Sequence, residues 1–283
     1  MLHRLCLNTA AAAWALTAIA LAAACGGGGA SAPTSPTATA STAGATPPAA
    51  PSPTAPSPTA FSGWDFNGQV WQPIGTPPAC PNPLVLPLPV DMGRVTSILY
   101  PGQVRGDYKA HGGFRFDMPG QTTAVEVRVT MAGRLLRASR YLATGEIQYT
   151  FDIVNDCGIM LRFGHLRDLP AKFQAIADSL PAPIELDSRS TRISGVTVAL
   201  GEVIGTGVGL RDSARNVFFD YGVYDLRQRN ASSADPAWLA AHNNDTMPYG
   251  TCWFDLLSAG DAALVRGLPP ADGVMGRTSD YCR

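Results

Sequence analysis

The sequence carries almost no net charge: 21 Lys and Arg against 22 Asp and Glu leave -1 over 283 residues. No general electrostatic attraction therefore draws it to nucleic acid or to an anionic membrane surface. Beyond its N-terminal segment it has no apolar run approaching the roughly 20 residues of a membrane span. There is no Cys-x-x-Cys spacing, which argues against a cysteine-held structural metal, and no internal repeat. Gly and Pro are plentiful instead, 29 and 24 residues spread unevenly, so the folding part is shorter than the chain.

The N-terminal residues read as an export signal. His3 and Arg4 precede an apolar run, Ala10 to Ala24, that contains Trp14, Leu16, Ile19 and Leu21 and ends in small residues, the pattern of a signal peptide over residues 1–24. Leu21-Ala-Ala-Ala-Cys25-Gly-Gly-Gly-Gly resembles a bacterial lipobox, with Ala22 where Leu is usual and Leu21 one place further back. The resemblance implies lipidation of Cys25 and anchoring in a bacterial cell envelope, with the membrane met through the lipid alone. Ordinary cleavage leaving a free Cys25 is the alternative. Residues 25–60 are almost wholly Ala, Pro, Thr, Ser and Gly, a composition that cannot bury a core and reads as a disordered tether. A domain is expected over 61–227, its core over about 95–227, with a C-terminal extension over 228–283.

Removing Cys6 and Cys25 leaves Cys80, Cys157, Cys252 and Cys282. In an oxidising compartment these form two disulfides with three possible pairings. The favoured pairing joins Cys80 to Cys157, tying the domain entry to a central strand, and Cys252 to Cys282, closing the C-terminal segment.

From Val95 to Tyr224, runs of β-branched and aromatic residues alternate with Gly, Asn and Asp turns, an antiparallel β signature. Strands are expected at Val95 to Tyr100, Gly113 to Asp117, Val125 to Thr130, Gly133 to Tyr141, Ile147 to Asn155, Ile159 to His165, Thr197 to Leu200, Val203 to Gly205 and Val217 to Tyr224. A helix interrupts them at Ala171 to Leu180, with Phe173, Ile176, Ala177 and Leu180 on one face. Thr76 to Pro89 reads as an irregular wrap. The tail is expected to hold a short helix near Pro236 to His242 and a helical stretch from Cys252 to Leu268, where Ser258 and Asp261 cap a second segment.

Three stretches carry the chemistry: His111-Gly-Gly-Phe-Arg-Phe-Asp117, Phe163-Gly-His165-Leu166, and Asn216-Val-Phe218-Phe-Asp220. In this order, together with Leu200-Gly-Glu-Val-Ile-Gly205, they resemble the lysostaphin/LytM family of cell-wall zinc endopeptidases over roughly Tyr100 to Arg227. The resemblance implies a mainly β fold, an antiparallel sandwich or barrel-sandwich hybrid with few helices. In the family, zinc is held by the His and Asp of a His-x-x-x-Asp motif and the second His of a late His-x-His, and a His in a Tyr-x-His-Leu segment acts on the attacking water.

Carried over by position, His111 matches the first ligand and His165 the catalytic histidine. Arg115, Asn216 and Phe218 stand where the Asp and the two late histidines belong. A permanent cation repels a divalent metal, and one ligand cannot hold catalytic zinc. The resemblance therefore implies a degenerate member without a metal cofactor, binding peptidoglycan or regulating a cell-wall hydrolase. Strand alternation places Arg115 and Asp117 in the cleft with Phe114 and Phe116 behind, and Asn216, Phe218 and Asp220 in the cleft with Val217 and Phe219 behind. Arg115 is expected to pair with Asp117 or Asp220. An active Zn2+ endopeptidase with a non-standard ligand set, including His111 and Asp117, and a purely structural surface lipoprotein are the competing readings.

Overall fold

The main sheet owes its order to strands whose alternate residues are large and apolar on both faces. The structure is a computed structural model that describes residues 60–116, 124–211, 217–271 and 275–283. The expectations for the signal peptide, the tether, Cys25, Asp117 and Asn216 lie outside these residues. Seven strands form the path of the sheet: β1 (Ser97–Leu99), β2 (Gly112–Arg115), β3 (Gly133–Ala143), β4 (Glu146–Val154), β5 (Ile159–Asp168), β6 (Thr191–Arg192) and β7 (Phe218–Asp225). They run in the order β6-β3-β4-β5-β7-β2-β1, each pair antiparallel. Two two-residue strands, Thr197–Val198 and Gly207–Val208, pair with β3 and β5 off this path.

Along β7, Phe219, Tyr221 and Val223 are buried at 0–1% exposure, and their side chains share one face because strand residues alternate. Phe114 of β2, Phe151 and Ile153 of β4 and Leu161 and Phe163 of β5 join them in the principal core. That core is closed by Phe173 and Ala177 of α1 (Ala171–Asp178) and by Trp253, Phe254 and Val265 from the C-terminal residues. On the opposite face, Leu136, Val154, Met160 and Tyr224 pack with Trp64 and Trp71. The two tryptophans come from a hairpin, Gly63–Phe66 with Trp71–Ile74, that extended-strand reasoning did not anticipate.

The chain is thus mainly antiparallel β with three short α-helices, two of them C-terminal: α1, α2 (Pro236–Ala241) and α3 (Ala259–Gly267). Among the described residues the sheet does not close into a barrel. Several boundaries move. β3 and β5 run on to Ala143 and Asp168, whereas the strand expected over Val125 to Thr130 reduces to Val127–Arg128, paired with Val203–Gly205. The helical stretch from Cys252 breaks into a 3-10 turn, Trp253–Leu256, and α3, where the Ser258 hydroxyl accepts from the Asp261 N–H. Leu257 stays extended between them, so the expected cap begins a new helix rather than continuing one. Residues 76–89 contain neither helix nor strand.

Cys80 bonds Cys157 and Cys252 bonds Cys282, the favoured pairing. Among the described residues no helix is long and apolar enough to cross a membrane.

Gly112 and Gly113 permit close strand approach. A Cβ on Gly113 would lie 2.4 Å from the Phe219 carbonyl oxygen, and one on Gly112 2.3 Å from that of Leu99. Gly113→Ala is expected to lower stability by about 1–3 kcal/mol through overpacking, read as a lower urea midpoint at unchanged slope.

Candidate functional site: a carboxylate shared by two histidines

Asp220 lies on β7 with a glycine opposite it on each neighbouring strand, Gly113 on β2 and Gly164 on β5. With no side chain at either position, the carboxylate is open to residues arriving diagonally. His111 comes from the start of β2, its Nε2 3.0 Å from Asp220 Oδ2. His165 comes from β5, its Nε2 3.3 Å from the same oxygen. β5 bulges between Phe163 and Leu166 against β4, and His165 takes a left-handed backbone conformation, φ +56. For a residue with a Cβ that conformation is uncommon, and such strain concentrates where a side chain is being aimed.

The electrostatics follow from burial and contact. Burial alone would raise the Asp220 carboxyl, but the charges of His111 and His165, the His111 hydrogen bond and Arg105 hold it well below the usual carboxylate range. It is therefore ionised and accepts from His111, with His165 Nε2 beside the same oxygen. Burial lowers the His165 imidazole below its ordinary value; Asp220 opposes this, while His111 and Lys109 add to it. The Tyr141 hydroxyl lies 3.3 Å from His165 Nδ1, and the Gln148 side-chain carbonyl oxygen also contacts that nitrogen. That oxygen can only accept, so Nδ1 is the donor in this contact. The Gln148 amide nitrogen is buried without a hydrogen-bond partner.

These groups line a cleft of about 200 Å³ with Lys109, Arg162, Leu186 and Ser188. The rim continues at Phe218, whose ring centroid is 4.2 Å from that of His165, and the Arg115 guanidinium carbon lies 5.5 Å from the Phe218 centroid. Phe114, Phe116, Val217 and Phe219 are buried behind, as alternation requires. The carboxylate expected to face Arg115 is thus engaged by the two histidines, and Arg115 lies over Phe218. The Asp117 arm of that expectation is outside the described residues.

Among the described residues no group of three or more His, Cys, Asp or Glu side chains could hold a metal ion.

Tyr141, Gln148 and Arg162 complete the site without any motif to mark them. Their one sequence signal is polarity at inward positions of apolar strands: Gln148 is fully buried, and Arg162 stands between Leu161 and Phe163. Arg162 is explained by its cross-strand partner, Asp152 of β4. The guanidinium grips that carboxylate with two bonds of 2.8 Å, while Arg137 Nε donates to it from β3 at 2.5 Å and also bonds Asp245.

No protein-family model matches the chain, and no curated protein does. Among solved structures it is similar to Helicobacter pylori Csd3 in an orthorhombic crystal, at 14% identity and a TM-score of 0.29 over 50% of this chain. The match spans about a third of that protein, 32% of its chain.

Proposed function

We propose that the chain is a non-catalytic binding module of the bacterial cell envelope. Its degenerate lysostaphin/LytM-like cleft recognises peptidoglycan or a cell-wall hydrolase that acts on it. The observation that carries this reading is the engagement of His111 and His165 with a single oxygen of Asp220. Peptide hydrolysis by the family's route needs three metal ligands, an open position for water and a base to take its proton. Both nitrogens of His165 already have partners within the site. Arg115 puts a permanent cation where a metal-binding carboxylate belongs, and Phe218 puts a ring without donor or acceptor where a histidine belongs. The remaining chemistry is recognition, through an ionised carboxylate, N–H donors and an aromatic ring beside a small cleft.

Two disulfides and the signal and lipobox patterns support an extracytoplasmic setting with a lipid anchor at Cys25. Cosedimentation of the purified protein with peptidoglycan sacculi tests the reading. Retention is expected, weakened about tenfold by Asp220→Asn, the effect of losing a charge-assisted hydrogen bond. Protein purified without chelator is expected to lack stoichiometric zinc. Stoichiometric zinc, with muropeptide hydrolysis that His111→Ala abolishes, would replace this reading by an active zinc endopeptidase. Absence of both sacculus retention and a complex with a cell-wall hydrolase would replace it by a structural lipoprotein.

A further inference from the structure

A second and larger cleft, about 770 Å³, adjoins the first and shares Arg162, Leu186 and Ser188 with it. Its size falls within the range of small-molecule sites. It is rich in guanidinium groups, yet it carries no surplus positive charge. Arg137 is paired with Asp152 and Asp245, Arg162 with Asp152, Arg189 with Asp187, and Arg192 with Asp65. Four cations thus meet four carboxylates, of which Asp187 and Asp245 line the cleft and Asp152 and Asp65 stand behind their arginines. A site built for an anion leaves guanidiniums without carboxylate partners to receive it; here an incoming anion would meet an acid beside every arginine.

A balanced array of fixed Arg and Asp pairs offers something else: N–H donors and carboxylate acceptors a hydrogen-bond length apart. Adjacent hydroxyl groups, each both donor and acceptor, match that pattern. At Asp152 the array is also rigid. Asp152 is 1% exposed and held by three N–H···O bonds, so little ordering remains to be done when a ligand arrives. The cleft also has an apolar wall, where the Phe66 ring lies 5.4 Å from Trp71 and the Trp71 indole N–H donates to the Asp245 carbonyl at 2.7 Å. An aromatic wall beside paired donors and acceptors suits the C–H face of a sugar ring.

We infer that this cleft is a binding site for an uncharged oligosaccharide. The assignment goes beyond the peptidoglycan reading and does not need it. N,N′-diacetylchitobiose is the neutral probe and a heparin disaccharide the anionic one, each titrated into the purified full chain with saturation-transfer NMR and calorimetry as readouts. Chitobiose is expected to bind and the heparin disaccharide is not. Arg192→Ala and Asp245→Asn are each expected to weaken chitobiose about tenfold, as loss of a hydrogen bond to a charged group does. Arg192 is 65% exposed, so its variant keeps the wild-type melting temperature and separates lost binding from lost folding. Asp245→Asn, which leaves Arg137 with less counter-charge, is expected to acquire measurable heparin-disaccharide binding.

Absence of chitobiose binding at millimolar concentration, tighter binding of the anionic probe by the wild-type protein, or unchanged affinity in both variants would overturn the assignment. Chitobiose carries no peptide. Its failure would therefore leave sacculus retention through Asp220 standing, and loss of that retention would leave the sugar result standing.

Discussion

Asp152→Ala is expected to destabilise the protein by about 3–5 kcal/mol, the effect of removing one partner from a buried ion pair. The carboxylate is 1% exposed and receives Arg162 through two N–H groups and Arg137 through a third. Without it, two guanidiniums lie side by side beneath the cleft, and Arg137 keeps only Asp245. Burial by itself would raise the Asp152 carboxyl, but the two arginines outweigh that and hold it at about 2, below its ordinary 3.8. A carboxyl depressed on folding contributes stability that is complete above its unfolded value and disappears as pH falls through its folded one. The wild-type protein should therefore lose this contribution between about pH 4 and pH 2. In Asp152→Ala that part of the acid transition should be missing. Urea denaturation at neutral pH and at steps down to pH 2 measures both effects, and a neutral-pH loss below 1 kcal/mol would show the pair to be dispensable.

The second large effect is expected from the disulfides. Closing a loop restricts the unfolded chain more as the loop lengthens. Cys80 and Cys157 are separated by 77 residues and Cys252 and Cys282 by 30. The chain-entropy relation then gives about 4.5 kcal/mol for the first bond and about 3.6 kcal/mol for the second. The Cys80→Ala/Cys157→Ala double variant should unfold at lower urea than Cys252→Ala/Cys282→Ala, with both well below wild type. The first bond fastens the irregular Pro-rich segment to the turn between β4 and β5. The second holds the end of the chain, where Tyr281 lies so close to Gly102 and Gly250 that a Cβ on either would meet its ring. A reversed order of midpoints would mean that the wrap is held by packing, with the C-terminal bond the more important tie.

The histidine pair shows how far a motif reaches. His111 and His165 stand in the order the lysostaphin/LytM resemblance implies, and the structure brings them to one atom. Their contact runs through Asp220, which the sequence offered, with Asp117, as one of two carboxylates in the cleft. The alternation rule that put Arg115 and Phe218 on one face and Phe114 and Phe219 on the other describes their burial correctly. It does not say which cleft residue meets which. That depends on the Gly113 and Gly164 positions opposite Asp220 and on the bulge that turns His165.

Local chemistry in the sequence alone determined the β-rich class, a helix starting at Ala171 and the Ser258 cap, and it favoured one of three cysteine pairings, which the structure then decided. Each follows from side-chain periodicity, capping or the position of a residue along the chain. Only the tertiary structure decided the shared carboxylate, the Arg162 and Asp152 pair, the hairpin that covers the outer face and the two adjoining clefts. Cross-strand register and a single bulge set those distances, and register is a relation between strands that no one strand's residues contain.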